Sequence, residues 1–215
     1  LAPHRPTLRG FGVPRNGIYI MRTKTLAIKT FVELNESEKA KAIELCRDWN
    51  VSDSFWHEGT IDDAKEIASL MGIDIDDVFF SGFWSQGDGA CFTGRFSHRK
   101  GTLKAVKAYA PTDTDLLAIA ETVQELHRFS FYSTSGNITH HGRYSHERSM
   151  RVDVSNEHGS ADDEPWLDVF ADFASWIYRN LERDYEYLTG DEAIAESLEA
   201  NEMEFEIDGD ELSLA

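Results

Sequence analysis

The stretch FFSGFWSQGDGACFTGRF, residues 79–96, decides the fold that we expect for this chain. Aromatic residues on both sides of a polar, glycine-rich centre are typical of two β-strands joined by a turn. Rings pack well on a pleated surface, and glycine tolerates positive φ. We therefore predict an antiparallel aromatic hairpin with a three- to five-residue connection near residues 85–89. Gly82 and Gly94 are expected within its strands, where glycine marks a bulge or a close backbone approach.

Helical patterns surround the hairpin. Asn35 and Glu38 have the spacing of a capping box, which opens a helix. A second helix is expected to begin near Thr60, after a separate aromatic turn. Beyond the hairpin, apolar residues at helical spacing predict a helix over about 113–128, with His127 at its boundary with solvent.

The strongest helical pattern follows an Asp at the cap position, Asp163, with Pro165 just inside the helix start. Large apolar residues then recur every three or four positions, which predicts one broad buried face. These residues are Trp166, Phe170, Phe173, Ile177, Leu181, Tyr185 and Leu188. A further capping box at residues 189–192 predicts a last helix. Phe205 and Ile207 then alternate with acids, as in an edge strand.

These elements predict an α+β fold, in which an antiparallel sheet with a central aromatic hairpin is packed on one side by several helices. Residues 1–20 are expected to form a poorly structured leader, with Met21 as the natural start. Residues 21–207 are expected to form a single domain, followed by an acidic tail at 208–215. The alternative is two domains that divide near Pro111.

The charge of the chain is −18 and is unevenly distributed. Residues 160–215 contain eighteen Asp or Glu, but Arg179 and Arg183 are their only Lys or Arg residues. This excess disfavours a nucleic-acid binder, which needs a basic face, and favours a basic protein or a nucleic-acid-binding protein complex as partner. The candidate contacts are Asp191, Glu192, Glu196, Glu199, Glu202, Glu204 and Glu206. The alternative is that these acids only keep the surface hydrated.

Cysteine and histidine give no pattern of a metal or cofactor site, and we predict neither. Cys46 and Cys91 are far apart and in apolar surroundings, as expected for reduced, buried cysteines of a cytoplasmic protein. His140 and His141 are adjacent in a predicted strand and so point to opposite faces. No apolar run approaches about 18 residues, so no membrane-spanning helix is predicted.

The hairpin loop supplies the candidate residues for two further functions. Trp84, Ser85, Gln86 and Asp88 could form a small-ligand or hydrolase site, because the neighbouring glycines would let backbone amides approach an anion. However, Asp88 would repel that anion, and the loop contains no Lys or Arg. A phage scaffold or interaction protein is the other alternative, and exposed Phe83 and Trp84 would support it.

Four segments resemble a family of phage, prophage and plasmid-borne bacterial proteins commonly labelled "antitoxin of toxin–antitoxin stability system". They are residues 33–42 (ELNESEKAKA), the hairpin at 80–94, residues 104–111 (KAVKAYAP) and residues 183–189 (RDYEYLT). The resemblance implies a mobile-element protein that acts in the bacterial cytoplasm. Together with the charge, it leads us to expect an antitoxin or an anti-defence inhibitor (anti-CRISPR or antirestriction-like) rather than an enzyme. It supplies no catalytic or binding residues.

Overall fold

The computed structural model describes residues 27–156, 162–209 and 211–215. Over these residues the predicted α+β class is confirmed. The helices are α1 (Glu36–Leu45), α2 (Phe55–Leu70), α3 (Thr102–Tyr109), α4 (Thr114–Phe129), α5 (Glu164–Leu188) and α6 (Asp191–Ala200). The strands are β1 (Ala27–Thr30), β2 (Ile73–Phe80), β3 (Ala90–Ser97), β4 (Thr134–His140), β5 (Met150–Asn156), β6 (Glu204–Asp208) and β7 (Glu211–Leu214). Instead of the one expected sheet there are two, both antiparallel, with the strand orders β2-β3-β4-β5 and β1-β6-β7.

The aromatic hairpin forms β2 and β3, and β3 is an interior strand of the four-stranded sheet. Its connection, residues 81–89, is longer than the three to five residues that we predicted. The loop is closed by its own polar groups, since the Ser85 amide donates to Asp88 Oδ2 at 2.7 Å. Gly82 lies in this loop rather than in a strand. At Gly94 the predicted close approach is present, because a Cβ there would lie 2.1 Å from the Asp74 carbonyl oxygen.

Helix α5 organises the main core, as its apolar repeat predicted. Its buried residues pack against β3, where the Phe92 ring lies 6.1 Å from that of Phe170 and 5.8 Å from that of Phe173. Helices α2, α3 and α4 add buried residues to the same cluster. Burial of each large side chain contributes about 1.5–3 kcal/mol before the loss of conformational entropy.

The predictions for the start of the second helix and for His127 were wrong. Helix α2 begins at Phe55 rather than near Thr60, so the aromatic turn belongs to the helix. Trp56 in its first turn packs against the main core, which extends the apolar face towards the N-terminus of the helix. His127 is fully buried rather than at the boundary, because its ring packs 4.8 Å from that of Trp166.

A second, smaller cluster lies between the sheet β1-β6-β7 and the helices α1 and α6; we call these five elements the small layer. Its buried residues are Phe31, Leu34, Ala42, Cys46, Ile194, Leu198 and Phe205. The capping box of α1 is confirmed, with Asn35 Oδ1 accepting from the Glu38 amide at 3.0 Å. That of α6 was wrong, because Gly190 is its cap residue and no side chain caps the helix.

The C-terminal strands also differ from the prediction. β6 is the middle strand of its sheet, not an edge strand, and β7 occupies the expected acidic tail. β6 has a partner on both sides because β1, from the other end of the chain, pairs with it, placing Lys29 opposite Phe205. The predicted leader, residues 1–20, lies outside the described residues.

Candidate functional site

The acidic residues of α6 point away from the small sheet. Ile194 and Leu198 are buried against Phe205, which fixes the inner face of the helix. At about 100° per residue, Glu192, Glu196 and Glu199 fall on the opposite face, and all three are exposed. We call these three residues the helix stripe.

The acidic residues of β6 point in the other direction. Phe205 and Ile207 face the helices, so Glu204, Glu206 and Asp208 lie on the outer face of the sheet. Glu211 of β7 is directly opposite Asp208 and joins them there. We call these four carboxylates the outer sheet face.

The seven predicted contact residues therefore do not form one surface. Three form the helix stripe, and Glu204 and Glu206 belong to the outer sheet face. Asp191 already forms a 2.5 Å ion pair with Arg47, and Glu202 lies in the turn between α6 and β6. Sequence reasoning missed Asp208 and Glu211 as contacts. Asp208 could have been included, because it continues the alternation of acidic and apolar residues through Phe205 and Ile207.

The loop candidates are only partly brought together. The Asp88 carboxylate accepts a hydrogen bond from the Ser85 amide, which stabilises the turn. This bond occupies the carboxylate that a catalytic role would need. Gln86 is exposed. Trp84 is 70% exposed, with its ring 5.2 Å from that of Tyr185, whereas Phe83 is only 9% exposed. The aromatic pair that a self-association surface would need is therefore divided between core and solvent.

The histidines in and after β4 have separate partners. His140 Nε2 lies 3.0 Å from the Tyr144 carbonyl oxygen, and the Arg148 amide donates to His146 Nδ1 at 3.2 Å. Among the described residues, no group of three or more His, Cys, Asp or Glu side chains is arranged to hold a metal ion. Nor is any described helix long and apolar enough to cross a membrane.

Both cysteines are buried free thiols. Burial raises the pKa of the Cys46 and Cys91 thiols. The Ser149 side chain and the His146 backbone offset part of this effect at Cys91 by hydrogen bonding. Because the thiolate is the reactive form, neither residue is suited to nucleophilic catalysis.

A polar cleft of about 440 Å³ lies between the start of α3 and the second half of α4. Its basic and aromatic lining consists of His98, Arg99, Lys100, Arg128 and Tyr132. Our sequence predictions included none of these residues. A signal was present, because residues 89–112 contain five Lys or Arg and no Asp or Glu in a chain of charge −18. We call this site the α3–α4 cleft.

His127 lies beneath this cleft and has unusual surroundings. It is 1% exposed, and its ring is 5.3 Å from that of His98. Within the described part of the chain, its Nδ1 atom has no hydrogen-bond partner. Burial, and to a smaller extent the nearby His98, lower the pKa of His127 from 6.5 to about 4.

The comparisons with known proteins give one match. A family model described as a domain of unknown function (DUF8835) matches residues 56–191, more than half of the chain. No curated protein matches the chain significantly, and no solved structure does so either.

The matched region coincides with the main core. Every buried residue of the main cluster lies within residues 56–191, and every buried residue of the small-layer cluster lies outside them. The α3–α4 cleft therefore belongs to the matched region. The outer sheet face belongs to the flanking segments that build the small layer.

Proposed function

The chain belongs to the DUF8835 family, and we propose that it is a binding protein that occupies and neutralises a basic macromolecular partner through the outer sheet face. An antitoxin or an anti-defence inhibitor acts in this way, and the resemblance of four sequence segments to phage and plasmid proteins supports that role. The carrying observation is the set of four carboxylates on one face of β6 and β7.

The charges on this face favour a basic partner over simple hydration. Like charges directly opposite each other destabilise a sheet, and Asp208 is directly opposite Glu211. Within the described strands of this sheet, Lys29 is the one Lys or Arg, and it faces the helices, where it pairs with Glu38 at 3.0 Å. A cationic surface would be electrostatically complementary to the carboxylates of the outer sheet face.

The same face also presents an apolar residue. Ile28 is directly opposite Glu206 and is 57% exposed. Interfaces commonly combine apolar contact with peripheral charge that directs the approach of the partner. The outer sheet face therefore has both components of a docking surface, whereas the helix stripe offers charge alone.

The test compares two variants with the same change in charge. The sheet variant combines Glu204→Gln, Glu206→Gln and Asp208→Asn, and the helix variant combines Glu192→Gln, Glu196→Gln and Glu199→Gln. Each protein is used for affinity capture from a bacterial lysate at about 0.05 M and about 0.5 M salt, where screening of exposed charges differs strongly. Circular dichroism establishes that both variants fold.

We expect wild type and the helix variant to retain the same partner at low salt. The sheet variant is expected to bind it at least about tenfold more weakly, because long-range attraction is lost. An equal loss of binding in the two variants would contradict the proposal, because binding would then depend on total charge rather than on the outer sheet face. Capture of no partner at either salt concentration would also contradict the proposal.

A further inference from the structure

The α3–α4 cleft has a basic side built from three residues. Arg99 is held in place by hydrogen bonds from its guanidinium to the Ser69 carbonyl and, at 3.0 Å, to Ser69 Oγ. Arg128 pairs with Glu125 at 3.4 Å. Lys100 makes no hydrogen bond or ion pair with any described residue. A bound anion would supply a partner for Lys100 and would interact favourably with the two arginines.

The backbone at the start of α3 strengthens the basic side. Gly101, which also lines the cleft, is the cap residue of α3 with φ of 82°, and no side chain caps the helix. A Cβ at this position would meet nothing within 4 Å. The first amides of a helix carry partial positive charge and commonly bind phosphate. They add to the charge of Arg99 and Lys100.

An aromatic ring borders the other side of the cleft. Tyr132 is 51% exposed, and its ring lies 4.7 Å from that of His98. The backbone reaches this position through two successive left-handed residues, Phe131 with φ of 53° and Tyr132 with φ of 63°. Such conformations are costly for aromatic residues and occur preferentially at functional sites. Here they present a planar surface beside the basic residues.

The cleft also has polar groups suited to uncharged parts of a ligand. Glu121 and Gln124 line it from α4. A carboxylate accepts hydrogen bonds from hydroxyl and amino groups, so Glu121 suits a sugar hydroxyl or an exocyclic amine. The volume of about 440 Å³ lies within the ordinary range for small-molecule sites.

We propose that the α3–α4 cleft binds a nucleotide-type ligand, with a phosphate beside Arg99, Lys100 and the start of α3 and a planar base against Tyr132. The ligand is a free nucleotide or a nucleotide unit of a longer strand. Lys104 and Lys107, which line the groove adjoining the cleft along α3, would follow the backbone of such a strand. This site shares no residue with the outer sheet face, so either proposal can fail alone.

The test is calorimetric titration of the full chain with five separate probes: ATP, AMP, adenosine, inorganic phosphate and a short single-stranded oligonucleotide. The site variants are Lys100→Gln and Tyr132→Leu. The matched control is Arg95→Gln, which removes the same charge as Lys100→Gln but lies on β3, paired with Asp74 outside the cleft. Circular dichroism verifies the fold of each variant.

We expect ATP or AMP to bind more tightly than adenosine or phosphate. Each site variant should weaken binding about tenfold, as for the loss of a charged phosphate contact or of a stacked base. The control should stay within about twofold of wild type. Tighter binding of the oligonucleotide would identify a strand as the source of the nucleotide. Absence of binding by every probe, or equal weakening by Arg95→Gln, would overturn the proposal.

Discussion

His127 shows how one buried side chain links stability to pH. Its pKa is lowered to about 4, mainly by burial, from an ordinary value of 6.5. The folded protein therefore resists protonation of this ring, whereas the unfolded chain does not. The contribution of neutral His127 is complete above the unfolded pKa and is lost as the pH falls through the interval from 6.5 to about 4.

We therefore predict that lowering the pH from about 7 to about 5 reduces the free energy of unfolding by about 2 kcal/mol through this residue alone. His127→Leu places a side chain that does not titrate in the same surroundings. The free energy of unfolding of this variant should therefore decrease less between pH of about 7 and about 5. Urea unfolding of both proteins across the pH range measures the difference. Parallel curves for wild type and His127→Leu would show that His127 does not carry the effect.

At the scale of single elements, the hairpin depends on a close approach between two strands. A Cβ at Gly94 would lie 2.1 Å from the Asp74 carbonyl oxygen and 3.0 Å from Ile75 Cα. Because both atoms are backbone, relief requires β2 and β3 to separate. Gly94→Ala should lower the free energy of unfolding by about 3 kcal/mol, at the upper end of overpacking costs.

The matched control is Gly59→Ala. Gly59 lies inside α2, and a Cβ there meets nothing within 4 Å. This substitution should stabilise the protein by about 0.5–1 kcal/mol through helix propensity. Chemical denaturation of both variants measures the free energy of unfolding, which should decrease for Gly94→Ala and increase for Gly59→Ala. No change in Gly94→Ala would mean that β2 and β3 separate at little cost.

Some elements were predictable because their sequence signal is local. The repeat from Trp166 to Leu181 lies within one helix, and the Asn35 capping box within one turn. The role of β6 was not predictable in the same way, because its neighbour β1 comes from the opposite end of the chain. The α3–α4 cleft was missed for a related reason, since Lys100 and Tyr132 become neighbours only when α3 packs against α4.

At the scale of the whole molecule, most of the buried apolar residues form two separate clusters. The segment that follows α1 is joined to the C-terminal end of α5 by two hydrogen bonds, in which Arg47 Nη1 donates to the Thr189 carbonyl at 2.9 Å and Asn50 Nδ2 to that of Leu188 at 3.0 Å. Among the described residues, no buried or partly buried apolar residue belongs to both clusters, so local opening of the small layer need not disturb α5. The acidic outer sheet face thus lies on the part of the molecule with the smaller core.

We predict that Phe205→Ala, which empties the centre of the small cluster, lowers local stability by about 3–5 kcal/mol. Hydrogen exchange should accelerate in β1, α1, β6 and β7, while the amides of β3 and α5 remain protected. Phe92→Ala, an equal truncation in the main cluster, should instead expose β3 and α5. If Phe205→Ala accelerated exchange equally throughout the chain, the two clusters would fold as one unit. The outer sheet face could then not be altered without affecting the α3–α4 cleft.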